Sequence, residues 1–425
     1  MGAIERFRDP VHGFIELHPL EVEIVNTLPF QRLRKIHQLA LTNLVYHGAE
    51  HSRFGHSLGV MHLATIAYDN VLKKHQVIFP PEQQDWFRQI LRLIALTHDL
   101  GHPPFSHASE GVLPVGLEHE DFTEKVIKET IIGEYINEIG VIYTKKYGQE
   151  YNITPDLICD IYQGRVKDKN LIFLKKFMDS ELDVDKMDYL LRDSLYCGVS
   201  YGKYDLDRLI SSLTIYFQNG PRLAIDKGGM HVTEAFILAR YFMFTQVYFH
   251  RTRRLYDLML TNFLKEILPN GTYPDDINEF LSYNDNIVWE LMVREKENSE
   301  WAQRIIHRDL ISIVDESPPH SDDKDKKIYN MIGREIEREC GKENIIIDSP
   351  SKLPHKIPTR VEVDDEKAIP IIRKISSLPT SLSDESEIIK NLTKPINIIR
   401  IYAKKDVYDK AKKIYEERQR DALGL

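Results

Sequence analysis

The chain has 425 residues, enough for one large hydrophobic core and a second, smaller unit. Its hydrophobic content of 42% and charged content of 28% are typical of a soluble globular protein. A net charge of −9 argues against a general polyanion-binding surface, although it leaves room for local basic patches.

The cysteines and the N-terminal residues indicate the compartment. Cys159, Cys197 and Cys340 show no pairing pattern, which fits a reducing environment and disfavours a cysteine-based zinc site. Charged residues stand at positions 5–9, where a signal peptide would be apolar, and no long uncharged apolar run follows. The sequence therefore predicts a cytoplasmic protein that does not enter a membrane.

The N-terminal third predicts a strand and turn followed by helices. The strand and turn cover Arg8–Pro19, and a basic helix, FQRLRKIHQLA, is predicted over Phe30–Ala40. The stretch AEHSRFGHSLG then leads into another helix, with Ser52 as a plausible cap and His56 near its start.

The most informative stretch is IALTHDLGHPPFSH. Residues 90–96 are apolar nearly all round, which predicts a buried helix, and the Gly/Pro-rich turn after it must end that helix. The helix delivers His98 and Asp99 to this turn, and an imidazole beside a hard carboxylate is good construction for a metal site. Taken alone, a His-Asp pair is equally consistent with a polar helix end.

Two later helices add polar side chains. One covers Glu118–Ile132 and carries His119 near its start. The other covers Ser180–Cys197, where Asp185, Tyr189 and Asp193 recur every four residues and so share one face. A solvent-facing stripe with ordinary salt bridges is the alternative interpretation of that face.

The remaining segments predict a mainly α fold with a smaller C-terminal α+β appendage. Helices are expected over Ala235–Ile267, Asn278–Arg294 and Glu300–Ile313. β-branched segments (NIIID, TRVEV, INIIRIYAK) then appear, and a charged helix ends the chain. We therefore predict a catalytic core over residues 1–315 and an α+β appendage over residues 316–425.

Four side chains form a candidate metal site. His56, His98, Asp99 and Asp185 each lie at the end or on the polar face of a predicted core helix. Two imidazoles and two carboxylates suit a divalent metal ion, with coordination positions left open for water and substrate.

The order H…HD…D, with HDLGHPPFSH and DVDKMDYLLRD as its second and third parts, resembles the HD-domain phosphohydrolases. Within them the chain is similar to the deoxynucleoside triphosphate triphosphohydrolases, from Arg8 to Arg254, through DPVHGFIELHP, FQRLRKIHQL and RFGHSLG. This resemblance implies a helical HD core that hydrolyses a deoxynucleoside triphosphate to the deoxynucleoside and inorganic triphosphate.

The resemblance also implies roles for individual residues. It matches the metal ligands to His56, His98, Asp99 and Asp185, the acid that protonates the leaving 5′ oxygen to His107, and its acidic support to Glu110. It matches the triphosphate site to His102, His119, Arg53 and Lys186, the sugar contacts to Tyr189 and Asp193, and the closure over the 3′ hydroxyl to Gln38 and Leu39. The bound metal would be Mn, Fe, Ni, Zn or Mg, with a second Mg²⁺ on the triphosphate.

Regulation is implied by the same resemblance. Members of the family assemble as oligomers with nucleotide effectors between subunits, and Gln31 and Arg34 match effector contacts. Asn26 stands where an aspartate would read guanine, which predicts weak base selectivity, and Gln246 stands where an arginine is expected. A helix over Phe30–Ala40 would join the effector residues to Gln38 as a rigid unit, in a dimer or tetramer.

Two other functions are compatible with the sequence. One is an HD phosphomonoesterase or phosphodiesterase acting on another nucleotide, which the sugar-closing match disfavours. The other is a single-stranded nucleic-acid-binding protein with a vestigial metal site, which the net acidity and the intact ligand set disfavour.

Overall fold

The computed structural model describes residues 4–75, 78–217, 220–357, 369–373 and 379–423. Helices dominate these residues and the strands form small sheets, as the sequence predicted. The helices, in chain order, are α1 (Pro19–Asn26), α2 (Leu28–Arg32), α3 (Arg53–Lys74), α4 (Pro81–Thr97), α5 (His119–Glu129), α6 (Ile131–Tyr147), α7 (Pro155–Gln163), α8 (Lys169–Lys175), α9 (Val184–Tyr196), α10 (Leu206–Ser212), α11 (Met230–Met243), α12 (Arg251–Ile267), α13 (Ile277–Ser282), α14 (Asp285–Glu295), α15 (Glu300–His307), α16 (Asp323–Cys340), α17 (Leu382–Glu385), α18 (Glu387–Asn391) and α19 (Tyr408–Leu423).

The strands form four small sheets. They are β1 (Glu5–Asp9), β2 (Gly13–Leu17), β3 (Leu213–Phe217), β4 (Pro221–Asp226), β5 (Ser312–Glu316), β6 (Ile345–Asp348), β7 (Ser351–Lys352), β8 (Pro370–Ile372), β9 (Thr380–Ser381), β10 (Ile396–Asn397) and β11 (Arg400–Ala403). The predicted strand and turn correspond to β2 and the turn before it, and β1 pairs with β2 to form an antiparallel hairpin that the sequence did not predict. The other sheets have the strand orders β3-β4-β8-β9, β5-β11-β6 and β10-β7.

The centre of the core is α3 packed against α4 and α9. The predicted apolar run of α4 is buried throughout, and burial of each large aliphatic side chain contributes roughly 1.5–3 kcal/mol. Arg92 lies inside this run and is buried as well. Its Nε is 2.7 Å from one carboxylate oxygen of Glu21, which is also buried, so the charge inside the core is paired. These three helices carry the predicted metal ligands.

The predicted helix over Phe30–Ala40 is wrong. α2 ends at Arg32, a single 3-10 turn follows, and Ile36 is extended. The N–H of Arg53 donates to the Ile36 carbonyl (3.0 Å), and the N–H of Gln38 donates to the His51 carbonyl (3.0 Å). Pairing with the segment before α3 satisfies these backbone groups, so tertiary contact overrides the helical pattern.

The predicted helix over Ala235–Ile267 is interrupted. α11 ends at Met243, a π-helical turn covers Phe244–Tyr248, and α12 begins only at Arg251. π-helical turns often occur at functional sites, and this one directs Tyr248 and Phe249 toward the main cavity of the molecule.

Other predicted helices also end early. Thr130 stops α5 and caps α6 by accepting the N–H of Ile132. Asn284 separates α13 from α14, and α15 ends at His307, after which Arg308 has a left-handed φ of 56° before β5. Short polar residues that cap a new helix explain the first two breaks.

The C-terminal residues divide between two clusters. One lies around β5-β11-β6, α16 and α19, and includes Val314, Ile336 and Tyr415. The other belongs to the main core, to which Ile371 and Ile389 contribute. The predicted strands NIIID and INIIRIYAK correspond to β6 and to β10 with β11, whereas TRVEV (359–363) lies outside the described residues. Within the described ranges no helix is long and apolar enough to cross a membrane.

Candidate metal centre and its cavity

The four predicted metal ligands come together where α3, α4 and α9 meet. His56 Nε2 lies 2.9 Å from Asp185 Oδ1 and 3.7 Å from Asp99 Oδ2, and His98 Nε2 lies 3.3 Å from Asp99 Oδ1. One ligand atom each from His56, His98 and Asp99 lie within 4.8 Å of one another, and all three residues are buried. This spacing lets the side chains surround a single cation.

The hydrogen bonds of His98 show that the donor set fits a metal ion. Its Nδ1 lies 2.8 Å from the Ala95 carbonyl oxygen, so Nδ1 carries the proton and Nε2 is left as an acceptor. Nε2 is buried and has no hydrogen-bond partner among the described residues. A buried imidazole nitrogen held with its lone pair toward two carboxylates is well suited to a divalent cation.

The pKa values of Asp99 and His56 are shifted in directions that suit a site for a cation. Burial alone would raise the pKa of Asp99, but Arg53 and His98 hold it well below its usual value. Burial would lower the pKa of His56, yet hydrogen bonds to Asp185 and Asp188 raise it to about 10. A divalent ion held by His56 and Asp185 would take the place of the proton on Nε2, while Asp188 would keep its hydrogen bond with Nδ1.

A buried network that the sequence did not predict supports His56. Asp188 Oδ2 lies 2.8 Å from His56 Nδ1, and its other oxygen lies 2.6 Å from His12 Nε2. Arg192 donates to both oxygens of Asp188 (2.7 and 2.9 Å), and also to Asp9 (2.9 Å). The carboxylate therefore fixes the ring orientation of His56, a candidate metal ligand. The one sequence signal for it is that Asp188 lies a turn after Asp185.

A cluster of imidazoles lies beside the metal centre. Glu110 Oε1 is 2.9 Å from His107 Nδ1 and 2.7 Å from His119 Nδ1, and the rings of His102 and His119 stack at 3.9 Å. His102 Nε2 lies 3.3 Å from Asp99 Oδ1, which joins the two clusters. The His107 side chain is 62% exposed and faces the cavity.

Glu110 is an anion at the middle of this cluster. Burial alone would raise its pKa, but hydrogen bonds with His107 and His119 lower it far below its usual value. The carboxylate thus holds Nδ1 of His107 and leaves Nε2 to meet a ligand, which is the arrangement of an oriented general acid.

Arg53 connects the metal centre to the turn before His107. One guanidinium nitrogen lies 2.7 Å from Asp99 Oδ2, and Nε donates to Ser106 Oγ (2.7 Å). The side chain is buried, so Arg53 stabilises the site as well as offering its charge to a ligand.

A cavity of about 1410 Å³ opens in front of these groups. Of the residues predicted from the sequence it is lined by Gln38, Leu39, Arg53, His107, Glu110, Asp185, Lys186, Tyr189 and Asp193. Among the described residues, ten cationic side chains border it, namely Arg53, Lys169, Lys176, Lys186, Arg222, Arg240, Arg253, Arg254, Lys352 and Lys356. Lys352 and Lys356 come from the C-terminal part of the chain.

The residues predicted to contact the sugar are held in place by neighbouring side chains. Asp193 accepts from Tyr248 Oη (2.7 Å), and its other oxygen lies 2.7 Å from His51 Nε2. The ring of Tyr189 meets that of Tyr248 edge to face at 6.2 Å. On the phosphate side, Lys186 Nζ is paired with Asp183 and donates to the Ser180 carbonyl (3.0 Å).

The predicted effector residues lie away from the cavity. Asn26 is exposed at the end of α1, and Gln31 Nε2 donates to the Val25 carbonyl (2.7 Å). Arg34 donates to Gln31 Oε1 (2.8 Å) and its guanidinium stacks over the Phe54 ring at 3.5 Å. The structure thus places Gln31 and Arg34 side by side.

Gln246 is not part of the cavity wall, but Arg240 of α11 is. The sequence indicated no role for Arg240, because it lies in an aromatic helix without a recognisable motif. Its donation to the Pro354 carbonyl (2.6 Å) attaches the C-terminal segment to this wall.

Comparisons with known proteins bear on these observations. Residues 53–175 match the family model described as HD domain, and residues 204–418 match the model described as HD associated region. The chain belongs to the HD-domain phosphohydrolases. The HD match begins at Arg53, the first residue of α3, and contains His56, His98 and Asp99; Asp185 lies between the two matched stretches.

Relatives of this HD phosphohydrolase cover nearly all of it. It is 30% identical to the uncharacterized protein YwfO of Bacillus subtilis, over 99% of this chain and 97% of that protein. It is 29% identical to human deoxynucleoside triphosphate triphosphohydrolase SAMHD1, over 95% of this chain and 71% of that protein.

Solved structures agree with the fold of this HD phosphohydrolase. A hypothetical protein from Aquifex aeolicus superposes with a TM-score of 0.80 at 32% identity, over 97% of this chain and 100% of that one. A phosphohydrolase from Bacteroides thetaiotaomicron superposes with a TM-score of 0.72 at 25% identity, over 95% of this chain and 100% of that one.

Proposed function

We propose that this HD phosphohydrolase cleaves deoxynucleoside triphosphates to the deoxynucleoside and inorganic triphosphate. The observation that carries the proposal is the pairing of an oriented acid, His107, with a metal centre at the wall of a cavity bordered by ten cations. The human relative is a deoxynucleoside triphosphate triphosphohydrolase, which supports the same substrate class.

The residues divide the chemistry between them. A divalent ion bound by His56, His98, Asp99 and Asp185 would lower the pKa of a coordinated water and so supply the nucleophile for the α-phosphorus. A nucleoside alkoxide is a poor leaving group, so the 5′ oxygen must be protonated as its bond to phosphorus breaks. His107 donates that proton from Nε2, because Glu110 holds its other nitrogen.

The charge of the cavity matches the triphosphate. A nucleoside triphosphate carries about four negative charges near neutral pH, and charge-assisted bonds to Lys and Arg stabilise such a chain. Lys186 and Arg240 line one side, and Lys352 reaches it from the C-terminal segment. A second Mg²⁺ bound with the triphosphate would complete the neutralisation.

We assign sugar selection to the part of the cavity wall around Tyr189, one turn of α9 after Asp185. Tyr189 and Leu39 line the cavity where the resemblance places the sugar, and a ribose 2′ hydroxyl would collide there. Gln38 Oε1 is buried without a hydrogen-bond partner among the described residues, which leaves an acceptor for the 3′ hydroxyl.

The enzyme is further proposed to form a homo-oligomer, a dimer or tetramer, whose activity responds to a nucleotide at Asn26, Gln31 and Arg34. The break after α2 means that these residues and Gln38 do not share one helix. An effector would act instead through the extended segment that joins the end of α2 to Gln38.

The test is to incubate the enzyme with each deoxynucleoside triphosphate, singly and in mixtures, with Mn²⁺ or Mg²⁺. Inorganic triphosphate and a deoxynucleoside are expected, with ribonucleotides hydrolysed far more slowly. Orthophosphate or pyrophosphate as the product would show that a phosphoanhydride bond is broken and not the bond between the α-phosphorus and the 5′ oxygen, and would favour a phosphomonoesterase or another phosphohydrolase. Light-scattering mass in the same mixtures tests the oligomer.

A further inference from the structure

Asp285 joins three segments that surround the active site. It is the first residue of α14, but Asn284 caps that helix by accepting the N–H groups of Asn286 and Ile287. The carboxylate of Asp285 is therefore not needed by its own helix, and the residue is only 2% exposed. A buried carboxylate that does not cap its helix requires donors from elsewhere.

Those donors come from two distant segments. Asp285 Oδ2 accepts the backbone N–H of His37 (2.7 Å) and lies 2.6 Å from His37 Nδ1. Asp285 Oδ1 accepts the backbone N–H of Phe105 (2.6 Å). One side chain thus fixes the backbone of the segment before Gln38 and that of the turn before His107.

The turn that Asp285 holds has an unfavourable backbone conformation. Phe105 and Ser106 have φ values of 59° and 54°, so two consecutive non-glycine residues are left-handed. Such residues persist only where the surroundings determine them strongly.

Ser106 is fixed by the same surroundings. Its Oγ donates to the His37 carbonyl (2.6 Å) and accepts from Arg53 Nε (2.7 Å). The rings of His37 and Phe105 are parallel to within 7° at 6.4 Å. The His37 segment and the turn are therefore fastened to each other as well as to Asp285.

We propose that Asp285 is a positioning residue that holds the Phe105–Ser106 turn in its left-handed conformation and thereby sets His107 and Gln38 against the metal centre. His107 directly follows the turn, and Gln38 directly follows His37. The inference rests on the proposed function for the role of His107 as acid. Asp285 lies in the HD associated region, so under this proposal that region contributes to catalysis by the HD domain.

The test compares Asp285→Asn with Asp276→Asn. The amide at position 285 still accepts from Phe105 through Oδ1, but its NH₂ group cannot accept from His37. Asp276 is a matched control because it is exposed and only caps α13, accepting the N–H groups of Asn278 and Glu279. Hydrogen exchange by mass spectrometry, kcat, KM and bound Mn²⁺ are measured for both variants.

In Asp285→Asn, faster amide exchange is expected in peptides covering 36–40 and 103–108. We expect kcat to fall about ten- to a hundred-fold through misplacement of the acid, with KM and bound Mn²⁺ near the wild-type values. Asp276→Asn should change none of these. Unchanged exchange in both segments, or unchanged kcat despite faster exchange, would overturn the proposal.

Two further experiments distinguish failure of this proposal from failure of the proposed function and from failure of the variant to fold. If the wild type releases a product other than inorganic triphosphate, the proposed function fails, and kcat is then compared on the ester that it does hydrolyse. If Asp285→Asn does not fold, His37→Asn takes its place, since it removes the ring but keeps the backbone N–H bond to Asp285. Faster exchange over 103–108 and a lower kcat in that variant support the proposal, and wild-type values contradict it.

Discussion

At the scale of single residues, the metal centre depends on carboxylates that burial would otherwise neutralise. Asp185→Ala removes a candidate ligand whose side chain is 32% exposed, so the fold should survive. Elemental analysis should show loss of bound metal, and turnover should vanish with it. Asp69→Ala, which breaks an exposed ion pair with Arg88, serves as the control. Stoichiometric metal in Asp185→Ala would remove this residue from the ligand set.

Asp99→Ala should have the same effect on metal and an additional effect on folding. Asp99 pairs with the buried Arg53, and loss of one partner of a buried pair costs about 3–5 kcal/mol. The variant should therefore unfold at a lower temperature than Asp185→Ala, in calorimetry of the two metal-free proteins. Equal melting temperatures would contradict a buried Arg53–Asp99 pair.

His107→Ala should leave the metal bound and lower kcat by roughly two to four orders of magnitude, the usual scale of general acid catalysis. The chain contains a close control in His231, which also contacts a glutamate three residues later, with 2.8 Å between Nδ1 and Glu234. Because His231 does not line the cavity, His231→Ala should keep wild-type turnover. Similar rates for the two variants would exclude His107 as the acid.

The contact between His37 and Asp285 should make stability depend on pH. Burial lowers the pKa of His37, but hydrogen bonds to Asp285 and Glu50 outweigh it and raise the pKa above its usual value. A raised folded-state pKa stabilises the protein fully below the unfolded value of about 6.5, and this stability is lost as pH rises through the folded value. The melting temperature of wild type minus that of His37→Gln should thus be largest near pH 6 and shrink toward pH 9. A difference independent of pH would refute the ion pair.

At the scale of the elements, α3 can lie this close to α9 because residue 59 is a glycine. A Cβ at that position would lie 2.0 Å from Asp188 Oδ1 and 2.5 Å from an Arg192 nitrogen. Gly59→Ala should lower stability by about 1–3 kcal/mol and weaken metal binding about 10–100-fold, since Asp188 orients His56. Gly55→Ala on the same helix has its nearest contact at 3.3 Å and is the control. Equal metal affinity in both variants would exclude Asp188 as the support of His56.

The sequence predicts where a helix or strand begins and ends when the cause lies in neighbouring residues, and fails when the cause is a contact with a distant segment. The end of α4 at His98–Asp99 was predictable because an apolar run meets a Gly/Pro turn within a few residues. The extended segment at Ile36 was not, since its partners lie before α3 and the bonds appear only in the folded chain. The π-helical turn before α12 likewise depends on contacts that a helical pattern does not reveal.

The same distinction applies to the site. The candidate metal ligands follow from short motifs, and the structure brings together His56 of α3, His98 and Asp99 directly after α4, and Asp185 of α9. His12 and Asp188 are 176 residues apart, and no local pattern pairs them. Lys352 could not be found either, because its segment contains no motif and reaches the cavity only through tertiary packing.

At the scale of the whole molecule, the cavity is lined by residues that are far apart in the sequence, from Gln38 to Ile369. Burial together with the neighbouring Arg240 and Lys356 lowers the pKa of Lys352, as expected where cations converge and an anion is needed. Lys352→Gln should raise KM for the triphosphate about tenfold, the scale of one charge-assisted bond, with little change in kcat. Lys390→Gln is the control, since its exposed ammonium contacts only Glu387 among the described residues. An unchanged KM would remove the C-terminal segment from substrate binding.

The reach of Lys352 into the cavity wall has a consequence for the nascent protein. When Asp185 has left the ribosome, all four candidate metal ligands have been synthesised, but the residues from 351 onward that line the cavity have not. At 5–20 residues per second, about 10–30 s separate the emergence of these two parts. A chain that has been synthesised as far as Asp185 therefore has every candidate metal ligand but lacks the part of the cavity wall that Lys352 supplies.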